Sequence, residues 1–214
     1  MKTPAEGRTR LLIAILRGVT DREVAEVGGC LYDAGFRALE VPLNSPDPLR
    51  SIAALRAAIP LDCAVGAGTV LTIEQVRRCR DAGAEMIISP NTDPRVIRET
   101  VSLGMQTIPG AVTPTEAFAA IAAGARNIKI FPADQVGPAG LKAWTAVLPH
   151  GTGLLPVGGV DASNMGSWRA AGATGLGIGS SLYRVGVEID ELRRRAAGIM
   201  SAWGTVTTTS GGAT

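Results

Sequence analysis

The chain has 214 residues and a mass of 22.0 kDa, the size of one ordinary domain, and it can bury about 70% of its unfolded surface without disulfide or metal staples. With 46% hydrophobic and 19% charged residues it is not a disordered chain, and a formal net charge of +2 provides no basic field suited to nucleic acid or to an acidic membrane. Every apolar run is broken within about ten residues, short of the roughly 18–20 needed to span a bilayer.

Short apolar runs alternate with amphipathic stretches from end to end. Met1–Arg10 is a polar segment without the apolar core of a signal peptide. The strands expected are Leu11–Leu16, Ala38–Leu43, one beginning at Cys63–Gly66, Met86–Ser89, Met105–Ile108, Asn127–Phe131, Leu154–Val157 and Leu176–Ile178. Between and after them, helices are expected over Asp21–Ala34, Pro48–Ala58, Thr72–Ala82, Asp93–Leu103, Thr113–Ala123, Gly140–Leu148, Asp161–Ala171 and Asp190–Met200. Thr72 reads as an N-cap, and Thr113-Pro114-x-Glu116 as a cap with proline in the first turn. Five helices run into glycine, at Gly35, Gly83, Gly104, Gly124 and Gly172, which is the left-handed C-cap that turns a chain back toward its sheet.

Regular alternation of strand and helix means parallel strands with helical crossovers. Eight such units predict a single-domain α/β fold, a (β/α)8 TIM barrel over residues 11–203, with a polar segment at 1–10 and a low-complexity, frayed tail at 204–214. An open doubly wound sheet is the alternative, but no G-x-G-x-x-G follows the first strand. Cys30, Cys63 and Cys79 form no CxxC pair and read as reduced thiols of a cytoplasmic protein.

Of 21 basic residues only Lys2, Lys129 and Lys142 are lysines. Lys129 lies inside Asn-Ile-Lys-Ile-Phe. Ile128 and Ile130 share one strand face, so Lys129 shares the other with Asn127 and Phe131. In a barrel that second face points inward, where burial lowers an amine's pKa. A lysine at an ordinary pKa of about 10.4 is neutral at pH 7 in roughly one molecule in 2,500; at 7–8 the fraction is roughly 10–50%. Two readings follow for Lys129: an imine-forming nucleophile, or a lysine whose head escapes to solvent or pairs with a carboxylate. Glu40 sits between apolar neighbours in Leu-Glu-Val-Pro, where an acid is costly unless paired or used. It either pairs with Lys129 or Arg17, or shuttles protons.

Gly158-Gly159 follows the seventh run, and Gly177-Ile-Gly179-Ser180-Ser181 ends the eighth. These are the strand ends at which barrels hold phosphate on backbone N–H groups, and the serines add hydroxyls. Arg17 and Thr69 fall on the same rim. Arg17 suits a carboxylate or phosphate clamp or a rim salt bridge; Thr69 suits a substrate hydrogen bond or a helix cap. Asn44-Ser45 offers neutral donors. His150 lies on the opposite rim and takes no role, and no His, Cys, Asp or Glu group has metal-ligand spacing.

The segments LLIAILRGV (11–19), ALEVPLNSP (38–46), VGAGTVL (65–71), ISPN (88–91), IPG (108–110), NIKIFPA (127–133), LPVGGV (155–160) and GIGSSLYR (177–184) together resemble the 2-keto-3-deoxy-6-phosphogluconate/6-phosphogalactonate aldolase family, in order and over nearly the whole chain. The resemblance implies a Schiff base on Lys129 without other cofactor or metal, and Glu40 as acid/base. It implies substrate contacts by Arg17, Thr69, Asn44, Pro90, Phe131 and Val157, and phosphate contacts by Gly158, Gly159, Gly179 and Ser180. It further implies a homotrimer acting on a small phosphorylated keto acid. Leu43-Asn44-Ser45 and Val157-Gly158-Gly159 stand where the phosphogluconate branch has L-R-T and T-G-G, and look like the phosphogalactonate branch. A valine methyl in place of a threonine hydroxyl removes a donor beside the substrate hydroxyls, which bears on the C4 epimer favoured. The expected activity is cleavage of 2-dehydro-3-deoxy-6-phosphogalactonate to pyruvate and glyceraldehyde 3-phosphate. The gluconate epimer, an isomerase or epimerase on the same barrel, and a non-enzymatic phosphate-binding barrel are the alternatives.

Overall fold

Lys129 and Glu40 owe their positions to a succession of short parallel strands. A computed structural model describes residues 11–204, so the expectations for residues 1–10 and for the tail beyond Gly204 lie outside the described residues. In chain order the elements are β1 (Leu11–Ile15), α1 (Val24–Asp33), β2 (Ala38–Pro42), α2 (Pro48–Ala58), β3 (Ala64–Gly68), α3 (Ile73–Asp81), β4 (Met86–Ile88), α4 (Pro94–Ser102), β5 (Gln106–Ile108), β6 (Gly110–Ala111), α5 (Pro114–Ala122), β7 (Asn127–Ile130), α6 (Ala133–Val147), β8 (Gly153–Pro156), α7 (Met165–Ala170), β9 (Gly175–Ile178) and α8 (Ile189–Gly204). Gly204, expected to open the tail, is instead the last residue of α8.

All strand pairs are parallel, and regular pairing gives two curved sheets, ordered β5-β4-β3-β2-β1-β9 and β6-β7-β8. A single bridge, Val157 to Gly177, links the strand ends of β8 and β9. The expected fifth strand is β5, and a further two-residue strand, β6, which was not expected, follows it across Pro109. Pro109 has no N–H to give to a ladder; β5 before it pairs with β4, and β6 after it pairs with β7. The Pro109 carbonyl still accepts the Lys129 N–H at 2.8 Å.

The helices follow their caps. Thr72 accepts from the Gln75 N–H, and Thr113 and Glu116 close a reciprocal capping box. All five expected C-cap glycines have positive φ, from 74° to 111°, and each makes the same pair of bonds: Gly35 N–H to Tyr32 O with Phe36 N–H to Leu31 O, and likewise after α3, α4, α5 and α7. Four helices differ from expectation: α1 starts at Val24 rather than Asp21, α8 runs past Met200 to Gly204, and α6 and α7 differ at their starts. α6 starts at Ala133 and breaks at Gly137 (φ 66°, ψ 166°) before Pro138, so it has a turn in front of the predicted stretch. α7 is shorter than predicted because the Asp161 carboxylate takes the N–H groups of Ser163 and Asn164 into a side-chain-closed turn first.

Strand alternation separates two apolar layers. Leu16, Leu39, Ile87, Ile128, Ile130 and Ile178 are buried between sheet and helices, and Ile13, Ile15, Met86, Ile88, Ile108 and Leu155 form a second, inner cluster. Ile128 and Ile130 therefore face the helices, as their flanking of Lys129 predicts, and Phe131 packs on the inner cluster. Among the described residues no helix is long and apolar enough to cross a membrane.

Candidate active site

Lys129 and Glu40 are 5% and 2% exposed, on β7 and β2, and among the few buried charged or polar side chains of the chain. The Lys129 ammonium lies 4.4 Å from the centroid of the Phe131 ring, a cation–π contact that compensates only part of its lost hydration. Burial lowers the Lys129 pKa; the negative charge of Glu40 opposes the shift and the positive charge of Arg17 adds to it. Burial raises the Glu40 pKa, against the pull of Lys129 and then Arg17. Both groups are thereby brought toward their neutral forms, the condition under which an amine attacks and a carboxyl exchanges protons near neutral pH.

Glycine makes the space for this pair. A Cβ built on Gly68 would lie 1.7 Å from Glu40 Oε1 and 2.6 Å from its Cδ, so the carboxyl rests on the bare backbone of the neighbouring strand β3. Gly177 does the same for Val157, whose Cγ2 would stand 2.6 Å from a Cβ there. Directly after Gly68, Thr69 adopts φ +59°, a left-handed conformation that a β-branched residue rarely takes. It is not a helix cap, since Thr72 caps α3.

A cleft of about 500 Å³ opens over the strand ends, and Arg17, Phe131, Val157, Gly158, Gly159, Gly179 and Ser180 all line it. Phe131 joins it to the buried amine. Gly158 and Gly159 have φ of 100° and 67°, which turns the chain sharply after β8 and leaves both residues exposed. Ser180 is exposed, whereas the Ser181 hydroxyl donates to the Val160 carbonyl at 2.9 Å and is not free for a ligand as its sequence position suggests. Lys129, Glu40, Asn44, Thr69 and Pro90 are not among the lining residues. Asn44 Oδ1 accepts from Arg17 Nη1 at 2.5 Å and so orients that guanidinium. The Pro90 carbonyl stands where a Cβ of Gly110 would be (2.3 Å), tying the segment after β4 to β6.

Sequence reasoning missed Ile15, Tyr183 and Arg184, which also line the cleft. Tyr183 donates to Glu23 at 3.3 Å, and burial pushes its phenol up to about 12. Burial also pushes Cys63 and Cys79 up to about 11 and about 12, which keeps them protonated and unreactive. Among the described residues no group of three or more His, Cys, Asp or Glu side chains is gathered for a metal ion.

The sequence pattern of the family described as KDPG and KHG aldolase matches residues 5–196. The chain is 46% identical over 205 residues to a protein of Rhizobium meliloti (strain 1021) named "Probable 2-dehydro-3-deoxy-6-phosphogalactonate aldolase", covering 96% of this chain and 97% of that one. It is 45% identical over 192 residues to the 2-dehydro-3-deoxy-6-phosphogalactonate aldolase of Escherichia coli (strain K12), covering 90% and 94%. A solved structure described as "Native KDPGal structure" superposes with a TM-score of 0.88 at 43% identity, covering 95% of each chain.

Proposed function

The chain belongs to the KDPG and KHG aldolase family, and from that premise we propose that it is a class I aldolase cleaving 2-dehydro-3-deoxy-6-phosphogalactonate to pyruvate and glyceraldehyde 3-phosphate. The observation that carries the reading is the buried pair, one amine and one carboxyl on the inner face of parallel strands, each shifted toward neutrality, with Phe131 in contact with the amine and lining the cleft of glycine turns.

Lys129 Nζ adds to the C2 carbonyl carbon, and Glu40 moves the protons that turn the carbinolamine into a protonated imine and water. Glu40 then takes the C4 hydroxyl proton. The C3–C4 bonding pair flows into the imine, releasing the aldehyde and leaving an enamine. Protonation at C3 and hydrolysis return pyruvate and the free amine. No cofactor beyond the lysine imine enters this scheme. Arg17, held by Asn44, faces the carboxylate end; Phe131 lines the pocket, with Thr69 and Pro90 outside its lining; Gly158, Gly159, Gly179 and Ser180 hold the phosphate, whose remote binding energy orients the scissile bond. Val157 stands beside the C4 hydroxyl, and its lack of a hydroxyl supports the galactonate epimer.

The same reading takes β5 and β6 as one strand bent at Pro109 and the Val157–Gly177 bridge as the closing seam. The two sheets then make one eight-stranded barrel. It takes the enzyme as a homotrimer of the cytoplasm, where Cys30, Cys63 and Cys79, all free and buried, stay reduced. Light scattering at assay concentration checks the trimer.

Borohydride reduction in the presence of pyruvate, followed by peptide mapping, tests the chemistry. A lactyl adduct is expected on Lys129 and on neither Lys2 nor Lys142; no adduct on Lys129 refutes the mechanism. The ratio of kcat/KM for the galactonate and gluconate epimers decides the substrate.

A further inference from the structure

Arg184 lines the cleft beside Ser180, Gly158 and Gly159. Its Nε donates to the Ser180 carbonyl at 2.8 Å, which fixes the plane of the guanidinium at the serine turn and leaves the two Nη groups to donate elsewhere. Nine other arginines of the described residues sit in ion pairs and five more, Arg22, Arg78, Arg98, Arg126 and Arg169, do not, but of the arginines without a carboxylate partner only Arg17 and Arg184 line the cleft. The cleft holds one acidic side chain, Asp161, and its Oδ1 already accepts from Ser163 N–H (2.8 Å), Ser163 Oγ (2.6 Å) and Asn164 N–H (3.2 Å). The two unpaired cations differ in place. Arg17 is close enough to Lys129 and Glu40 to shift both, while Arg184 is anchored to the glycine and serine turns.

We propose that Arg184 binds the substrate phosphate directly, so that two arginines in one cleft, Arg17 beside the amine and Arg184 on the glycine rim, select keto acids that carry a second anionic end. This deepens the aldolase reading and rests on it. A guanidinium fork matches phosphate oxygens in bidentate fashion and stays charged at all working pH values. Backbone N–H groups alone bind an anion but supply no full compensating charge. With Arg184 added, a dianionic phosphate meets a full positive charge, and an uncharged hydroxyl in its place leaves that charge unmatched.

The test uses the full-length enzyme, with Arg184→Gln and Arg184→Lys beside the unsubstituted protein. Each is assayed on the phosphorylated keto acid and on its dephosphorylated analogue, with inorganic phosphate as competitive inhibitor. For Arg184→Gln, KM for the phosphorylated substrate rises about tenfold to a hundredfold while kcat changes by less than about threefold. The ratio of kcat/KM between the two substrates falls by the same factor, and phosphate inhibition weakens in parallel. Arg184→Lys keeps the charge without the fork and falls between. If both variants keep the substrate ratio and the phosphate inhibition within about twofold of the unsubstituted enzyme, the proposal is wrong. Pyruvate labelling of Lys129 on the same preparations separates the two failures. A labelled lysine with an unchanged ratio removes Arg184 alone; an unlabelled lysine in the unsubstituted enzyme removes the aldolase reading.

Discussion

Glu40 has one seat. Its carboxyl occupies the space above Gly68 that any side chain would fill, so Gly68→Ala is expected to displace the acid while leaving its identity intact. A misplacement of about 1 Å costs about a hundredfold in rate; kcat at saturating substrate measures it, and retention of full kcat would show that the seat does not position the acid. The charges around the amine give a second expectation with a definite sign. Glu40 raises the Lys129 pKa and Arg17 lowers it. Glu40→Gln therefore moves the midpoint of pyruvate-adduct formation to lower pH, and Arg17→Gln moves it to higher pH. Borohydride trapping across pH reads both shifts; movement in the opposite directions would refute the electrostatic assignment. Turnover in Glu40→Gln falls by about 10²–10⁴ because the shuttle is gone. Lys129 was legible in the sequence because isoleucines on both sides gave its face. Arg184 was not: it is one of eighteen arginines and lies in a loop, and its distinction is to line the cleft without an acid paired to it, a property of the folded chain.

At the level of elements, five helices end in the same two-bond turn, and their glycines differ in what surrounds them. A Cβ on Gly104 meets nothing within 4 Å, while one on Gly172 stands 2.8 Å from Thr145 Cγ2. Gly104→Ala should report the left-handed conformation alone, about 1–2 kcal/mol, and Gly172→Ala should cost more because Thr145 must also give way. Urea denaturation of the two variants ranks them, and equal losses would count against this ordering. These glycines, like the Thr113–Glu116 box, were legible because local chemistry dictates them. The strand after Pro109 was not: the expected run ends at Ile108, and Gly110–Ala111 forms a strand of its own only because it finds a different neighbour, β7, while β5 pairs with β4. The early turn of α6 was hidden likewise by Gly137-Pro138, which punctuates the sequence but only kinks the helix.

Over the whole molecule, the apolar layer between sheet and helices and the smaller inner cluster account for stability, and the buried ionisable pair works against it. Replacing a buried ion pair by uncharged residues of similar volume is often stabilising by about 1–4 kcal/mol. The double variant Lys129→Met/Glu40→Gln should accordingly be inactive yet unfold at higher urea than the unsubstituted enzyme; a lower midpoint would mean the pair supports the fold. The parallel direction of the strands was legible because regular alternation of strand and helix specifies it. Which strand ends meet was not, since the seam between β8 and β9 has no regular ladder and consists of the bonds between Leu154 and Thr174 and a bridge at Val157 and Gly177. That contact reaches into the history of the enzyme. Because the isopropyl group of position 157 fills the void left at position 177, neither site is free to drift alone. A lineage exploring new sugar stereochemistry at 157 inherits the vacancy opposite as a condition, and one that fills the vacancy first has closed that route, so comparative sequencing should find the two positions changing together or not at all.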